Sequence, residues 1–316
     1  MRRWVATKLT LALPVVLIAV ALAGCLPMSS PWQGRAPATF ARQEVSYVYA
    51  PNTDKLYLAG GDSTVQEAYD STTNSWSTVA PLPAALDHIQ AVELNGLIYY
   101  IGGLVHWPGP AVGTVYVYDP VANTFTTGTP MPVGRERGAG GVGVFGDKIY
   151  YAGGLHGGVE VPWFDVYDTA TKTWATLPDM PEARDHFHAA VVEDRFYAIG
   201  GRHAAINATT TVNQAFDIGT GSWIRGLASL PTARGGFAAA ATGTEVLIIG
   251  GEGGGKTYNT VEAYNTTTNT WRALAPMPTA RHGIQAAIRN GGIHVAGGGT
   301  IQGAGGTTNI HEVFHP

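Results

Sequence analysis

The chain holds one cysteine in 316 residues, Cys25, so no disulfide can form within it. Charge is scarce too: 13% of residues are Asp, Glu, Lys or Arg, and 19 basic against 23 acidic side chains leave a net charge of −4. With no basic excess to neutralise phosphates, nucleic acid is not an expected partner. The apolar run at the N-terminus, residues 9–23, is broken by Pro14. At 15 residues it falls short of the roughly 20 that a membrane-spanning helix needs.

Glycine is abundant instead. Its 42 copies are spread along the chain rather than gathered in a tract, which implies many tight turns and a compact fold. Six Gly-Gly pairs, at Gly60-Gly61, Gly102-Gly103, Gly153-Gly154, Gly200-Gly201, Gly250-Gly251 and Gly297-Gly298, each close a short apolar run. Successive pairs lie 42, 51, 47, 50 and 47 residues apart, the period of four-stranded propeller blades rather than of helical repeats. No blade can bury both faces without neighbours, so the repeats count as one domain.

At the N-terminus, Arg2 and Arg3 precede the apolar run and polar, Pro-rich sequence follows it, the layout of a secretory signal. The run ends Leu22-Ala23-Gly24-Cys25, which resembles the bacterial lipobox. That resemblance implies lipidation of Cys25, cleavage before it, and an exported protein anchored to a bacterial membrane, at the periplasmic face of the outer membrane or on the cell surface. Several acyl chains hold firmly where one is marginal. The residues around Arg2-Arg3 depart from the twin-arginine pattern, so the general secretory route is expected. The expected organisation is a lipoprotein signal peptide over 1–24, a tether over 25–31 and a propeller over 32–316. Removing 1–24 leaves 16 basic against 23 acidic residues, a net −7.

Aligned on their glycines, the repeats bring aromatic-acid pairs into register: Tyr69-Asp70, Tyr118-Asp119, Tyr167-Asp168, Phe216-Asp217 and Tyr264-Asn265. Seven residues on stand Trp76, Phe125, Trp174, Trp223 and Trp271, and ten or eleven further on Arg135, Arg184, Arg234 and Arg281, with Leu86 in the repeat that breaks the rule. In this order of Gly-Gly, Tyr-Asp and Trp the chain resembles the kelch repeat family, over essentially everything after about residue 30. The resemblance implies an all-β, six-bladed propeller. Strands in the fourth blade are expected over 185–192, 195–199, 215–217 with its flanks, and from Trp223 onward, with turns such as Asn95-Gly96 and Gly146-Asp147 elsewhere joining first to second strands. The sixth blade lacks a C-terminal Trp strand, while Trp32 stands ten residues before Arg42, the Trp271 to Arg281 interval. The N-terminal segment is therefore expected to supply that blade's outer strand and close the ring.

In such a meander the loop after the second strand and the loop leading into the next blade emerge on one face. From Gly-Gly to the aromatic-acid position takes 9, 16, 14, 16, 14 and 17 residues in turn, and loops that vary on a fixed scaffold are where specificity is placed. That face also receives Arg42, Arg135, Arg184, Arg234 and Arg281, either a positive funnel for carboxylate, sulfate or phosphate groups or five arginines paired inside their own blades. The kelch resemblance adds that arginines at matching places in ubiquitin-ligase adaptors line a pocket for acidic peptides. Interleaved are Asp87, His88, Glu136, Arg137, Asp185, His186, His188 and His282. His186 and His188 alternate onto one strand face, but no third ligand of suitable spacing is apparent, so neither metal nor cofactor is expected. The variable loops add His106 with Trp107, His156 with Trp163, Arg202 with His203, then Glu252 and Lys256, a platform for sugar or peptide or loops packed on their own blades.

The leading expectation is a lipid-tethered binding module for a protein, peptide or acidic glycan on the arginine-bearing face. The alternative is an enzyme resembling bacterial kelch epimerases that interconvert sialic-acid anomers, with Glu136 or His186 moving a proton beside Arg135 or Arg184. Copper-radical oxidation needs a Tyr joined to Cys, and Cys25 stands outside the propeller.

Overall fold

The computed structural model describes Met1, Arg2, Trp4 and residues 30–316. Cys25 and the expected signal cleavage site lie outside the described residues. Six four-stranded antiparallel sheets follow one another around an axis, five of them ordered innermost to outermost along the chain. The first is Val45–Ala50, Lys55–Gly60, Glu67–Asp70 and Ser75–Thr78. Innermost strands of the next five are Gln90–Leu94, Gly141–Phe145, Ala189–Val192, Ala238–Thr242 and Ala286–Arg289. Asn95 and Gly96 both adopt positive φ, 55° and 82°, the two-residue hairpin geometry their identities favour.

The last blade is closed from the other end of the chain. Its outermost strand is Trp32–Gly34, paired with His311–Phe314 in the register Trp32 to Phe314 and Glu312 to Gly34. The Trp32 ring stacks on Phe314 at 4.9 Å, and its indole N–H donates to the Ala275 carbonyl of the preceding blade at 2.9 Å. The other outer-strand tryptophans repeat this stitch: Trp76, Trp174, Trp223 and Trp271 donate to Ala36, Thr129, Pro178 and Ala228 at 2.8–2.9 Å. Phe125 in the second blade has no N–H to give.

The repeat residues have separable jobs. Three Tyr hydroxyls bond an Asn side chain in the turn that follows, Tyr69 on Asn74, Tyr118 on Asn123 and Tyr264 on Asn269 at 2.7–2.8 Å, and each acid accepts from the turn's backbone, as Asp70 does from Thr72 at 2.8 Å. The Gly-Gly pair joins blade to blade: Gly103, Gly154, Gly201, Gly251 and Gly298 donate to the carbonyls of Arg137, Arg184, Arg234, Arg281 and Arg42 at 2.8–3.2 Å. At Gly153 the demand for glycine is double, because φ is +62° and a Cβ would lie 2.6 Å from the Arg184 carbonyl. Between sheets the core is aromatic and aliphatic, with Phe164 5.1 Å from Phe196 and 4.8 Å from Phe216.

A charged cavity at the propeller axis

The arginine funnel is not what the structure builds. Arg42, Arg184, Arg234 and Arg281 are buried and turn into their own blades. Arg42 pairs with Glu67, Arg234 with Glu262 at 2.5 Å and Arg281 with Glu312 at 2.8 Å. In the third blade the matching place belongs to Arg137, which is fully buried against Asp165 at 2.8 Å and against the carbonyls of Gly153 and Tyr151. Arg135 lies beside it, partly exposed, bonded to Asp165 at 3.0 Å and stacked over Trp163 at 5.0 Å. The Arg137, Arg234 and Arg281 guanidiniums thus clamp second strand to third. The acid stands two residues before each blade's aromatic. In the second blade arginine and acid are lost together, as Leu86 and Tyr116. In the fourth, Arg184 meets only carbonyls and the Gln214 amide oxygen at 3.1 Å, and burial pushes its pKa down to about 10.

The residues that do face the axis stand two positions after each arginine or Leu86. They are Glu44, His88, Ala139, His186, Gly236 and Gly283, and all six have φ between 52° and 62°. This left-handed turn also makes the fourth blade's first strand start at Ala189 rather than at Asp185. Backbone bonds run around the axis from Ala139 to His88, His186 to Ala139, Gly236 to His186, Gly283 to Gly236 and Val45 to Gly283, at 2.7–3.3 Å. Two blades place glycine here, where the conformation is free. Glu44, His88 and His186 each bear a cost on the order of 1 kcal/mol for the same φ, and such strain clusters where side chains must be aimed.

They are aimed into a cavity of about 180 Å³ lined also by Gln43, Asp87, Trp107, Arg202 and Glu252. His88 and His186 approach Nε2 to Nε2 at 2.7 Å, and the Glu44 carboxylate is 3.3 Å from His88 Nε2. Behind each ring is the preceding aspartate: Asp185 accepts from His186 Nδ1, and Asp87 lies 3.3 Å from His88 Nδ1. Arg202 reaches His186 Nε2 at 2.6 Å while bonded to Glu252 at 2.8 Å and Asp185 at 3.2 Å. Trp107, nearly half exposed, covers the group with its ring 5.0 Å from His88 and 5.5 Å from His186.

Burial alone would push both histidines down. Glu44 and Asp87 outweigh it at His88 and hold that ring above the usual histidine range, whereas burial, Arg202 and His88 together push His186 well below it. Burial would raise Glu44, but His88 and His282 hold it well below the usual carboxylate range. The structure therefore favours a charged His88 beside a neutral His186. Below them Gln90, His188 and Gln285 form a hydrogen-bonded plug, with Gln285 to Gln90 at 2.8 Å and His188 to Gln90 at 3.0 Å. About 10 Å³ is free between this plug and the histidines. His188 is held in that plug, whereas His186 lines the larger cavity.

Of the other expected site residues, Trp107, Arg202 and His186 meet at the cavity, joined by Asp87, His88, Asp185 and Glu252. The rest do not line it. Glu136 accepts from the Gly134 backbone at 2.9 Å; His156 bonds the Glu136 carbonyl at 2.7 Å and packs on Trp163. His106 pairs with Asp62, His203 with Glu182 at 3.1 Å, and Lys256 lies over Tyr258. Glu44 escaped the sequence reading although it stands in the same repeat column as His88 and His186.

Residues 142–313, more than half the chain, match the KLHDC2/KLHL20/DRC7 Kelch-repeats domain, and residues 88–132 match the Kelch motif. The protein belongs to the kelch-repeat family. It is 34% identical over 289 residues to Kelch-like protein terF of Aspergillus terreus, covering 83% of this chain and 62% of that one. It is 28% identical over 179 residues to alpha-scruin of Limulus polyphemus, covering 52% of this chain and 19% of that one. The chain thus spans about three fifths of the fungal relative and a fifth of the scruin. Among solved structures YjhT superposes with a TM-score of 0.77 over 89% of this chain and 96% of its own, at 16% identity, a likeness of fold.

Proposed function

We propose that the protein is a membrane-anchored, extracytoplasmic binding module that takes one polar residue of a glycan into the axial cavity. The carrying observation is the half-exposed Trp107 ring set over a floor of fixed charged groups. An aromatic face stacks on the apolar face of a sugar, while carboxylates and a guanidinium bond its hydroxyls. Glu44, Asp87, Glu252 and Arg202 supply those groups, already held by neighbours and so ordered at little cost on binding. The test is a glycan array probed with the full chain in detergent, beside Trp107→Ala. Glycan binding that Trp107→Ala reduces at least tenfold supports the reading; binding indifferent to Trp107, or capture of a folded protein alone, overturns it.

A second reading rests on the Asp185 to His186 hydrogen bond. Asp185 orients the imidazole, as an acid-base catalyst requires. Anomer exchange of a bound sugar, followed by NMR and lost in His186→Gln, is the expected result under this reading.

A further inference from the structure

We infer that Glu44, His88 and His186 form a binding site for a divalent transition metal ion of the zinc class, with one coordination position open to the cavity. One ligand atom from each residue lies within 4.8 Å of the others. The set, two imidazoles and a carboxylate, is of the three-ligand kind that leaves a fourth position for water or substrate. This inference does not rest on a glycan ligand.

Three features of the site support it. First, the ligands come from three different blades yet occupy one repeat column, each in the left-handed conformation that turns its side chain to the axis. Second, each histidine has an aspartate at Nδ1, the residue just before it in the chain. A carboxylate behind the imidazole fixes the tautomer that presents Nε2 and raises its basicity, the usual outer support of a metal-bound histidine. Third, the spacing is close to what coordination needs. Two metal–nitrogen bonds of about 2.0 Å at a tetrahedral angle put the nitrogens about 3.3 Å apart. The Nε2 atoms are 2.7 Å apart, and Glu44 to His88 is 3.3 Å. A shift of about half an ångström in the two rings makes room.

One group opposes the ion. Arg202 points its Nη2 at His186 Nε2 from 2.6 Å, so binding must turn that nitrogen away while the bond to Glu252 holds the rest of the guanidinium. The proton shared by the two imidazoles leaves on binding, since both Nε2 lone pairs are needed.

The experiment uses the full chain in detergent, stripped with a chelator and titrated with zinc by calorimetry and with cobalt by visible absorption. The expected result is one ion per chain and the cobalt spectrum of a four- or five-coordinate nitrogen and oxygen site. His88→Gln should weaken binding at least 100-fold, Asp185→Asn by 10- to 100-fold, and Arg202→Gln should tighten it. His156→Gln, away from the axis, should change nothing. No cobalt spectrum and no zinc heat in the unaltered protein overturns the inference whatever the variants do. Binding that His88→Gln leaves intact overturns it as well.

Discussion

Gln214→Glu should stabilise the protein. Four blades close an arginine on an acid, whereas Arg184 is buried against carbonyls and an amide, its pKa pushed from 12.5 to about 10. At 1.36 kcal/mol per unit that is about 3 kcal/mol of cost for holding the charge there at pH 7. A carboxylate where the Gln214 oxygen sits, 3.1 Å from Nη2, replaces a neutral acceptor with a charged one, a bond roughly twice as strong. Desolvating the new carboxylate takes back part of the gain. The net expectation is about 1–2 kcal/mol, a rise in Tm of roughly 2–6 °C for a domain of this size. Thermal unfolding of variant and parent at pH 7 measures it. The gain belongs to a carboxylate whose folded pKa is depressed, so it is complete above the ordinary glutamate value near 4.3 and lost as pH falls through the folded one. A lower or unchanged Tm at pH 7, or a gain that persists at low pH, refutes the reasoning.

The mirror change, Glu262→Gln, leaves Arg234 buried without its acid and should cost about 3 kcal/mol, read as a lower urea midpoint. Gly153→Ala forces a Cβ to 2.6 Å from the Arg184 carbonyl at a φ of +62°; a loss of roughly 2–4 kcal/mol is expected in the same assay. His294, buried 3.0 Å from His311, has its pKa pushed from 6.5 down to about 4 by burial and by Arg35 and Arg289. The unfolded chain takes up that proton first, so stability is complete above pH 6.5 and declines by about 3 kcal/mol toward pH 4. His294→Gln should flatten the decline in urea midpoint over that range. Cys25→Ser should move the protein from the membrane fraction to the soluble one; retention in the membrane would mean another attachment.

The blades were legible because each carries residues whose chemistry admits few alternatives. A positive φ against a neighbouring carbonyl demands glycine, and an outer-strand Trp that donates across a seam leaves its mark at a fixed interval. Closure was legible from Trp32, which keeps the same distance to Arg42 that Trp271 keeps to Arg281. The arginines stayed open between a funnel and pairs inside their blades for a physical reason: spacing gives a residue's place along a strand, not the side to which it turns. The sequence did hold a further signal, since Arg137 lies 16 residues before its Gly-Gly as Arg184, Arg234 and Arg281 do, and Leu86 coincides with Tyr116 where others pair arginine with acid. The cavity was half legible. His186, Arg202 and Trp107 stood out by type, but Glu44 matters only through a column shared with two histidines and three small residues. Nothing local in the sequence reports that the column faces the axis.

Closing the ring with a strand from the opposite end of the chain governs how the protein can reach its fold. Trp32 is among the first residues of the propeller to be made and its partner Phe314 almost the last. Until His311–Phe314 emerges, the Trp32 strand has no mate and the first five blades present an open flank. Bringing such distant segments together is slow, because the entropy of closing the long loop is lost before the contact is gained. An unmated strand and a bare flank are what a second nascent chain could pair with. A chain that lacks His311–Phe314 should therefore yield aggregates rather than a five-bladed remnant.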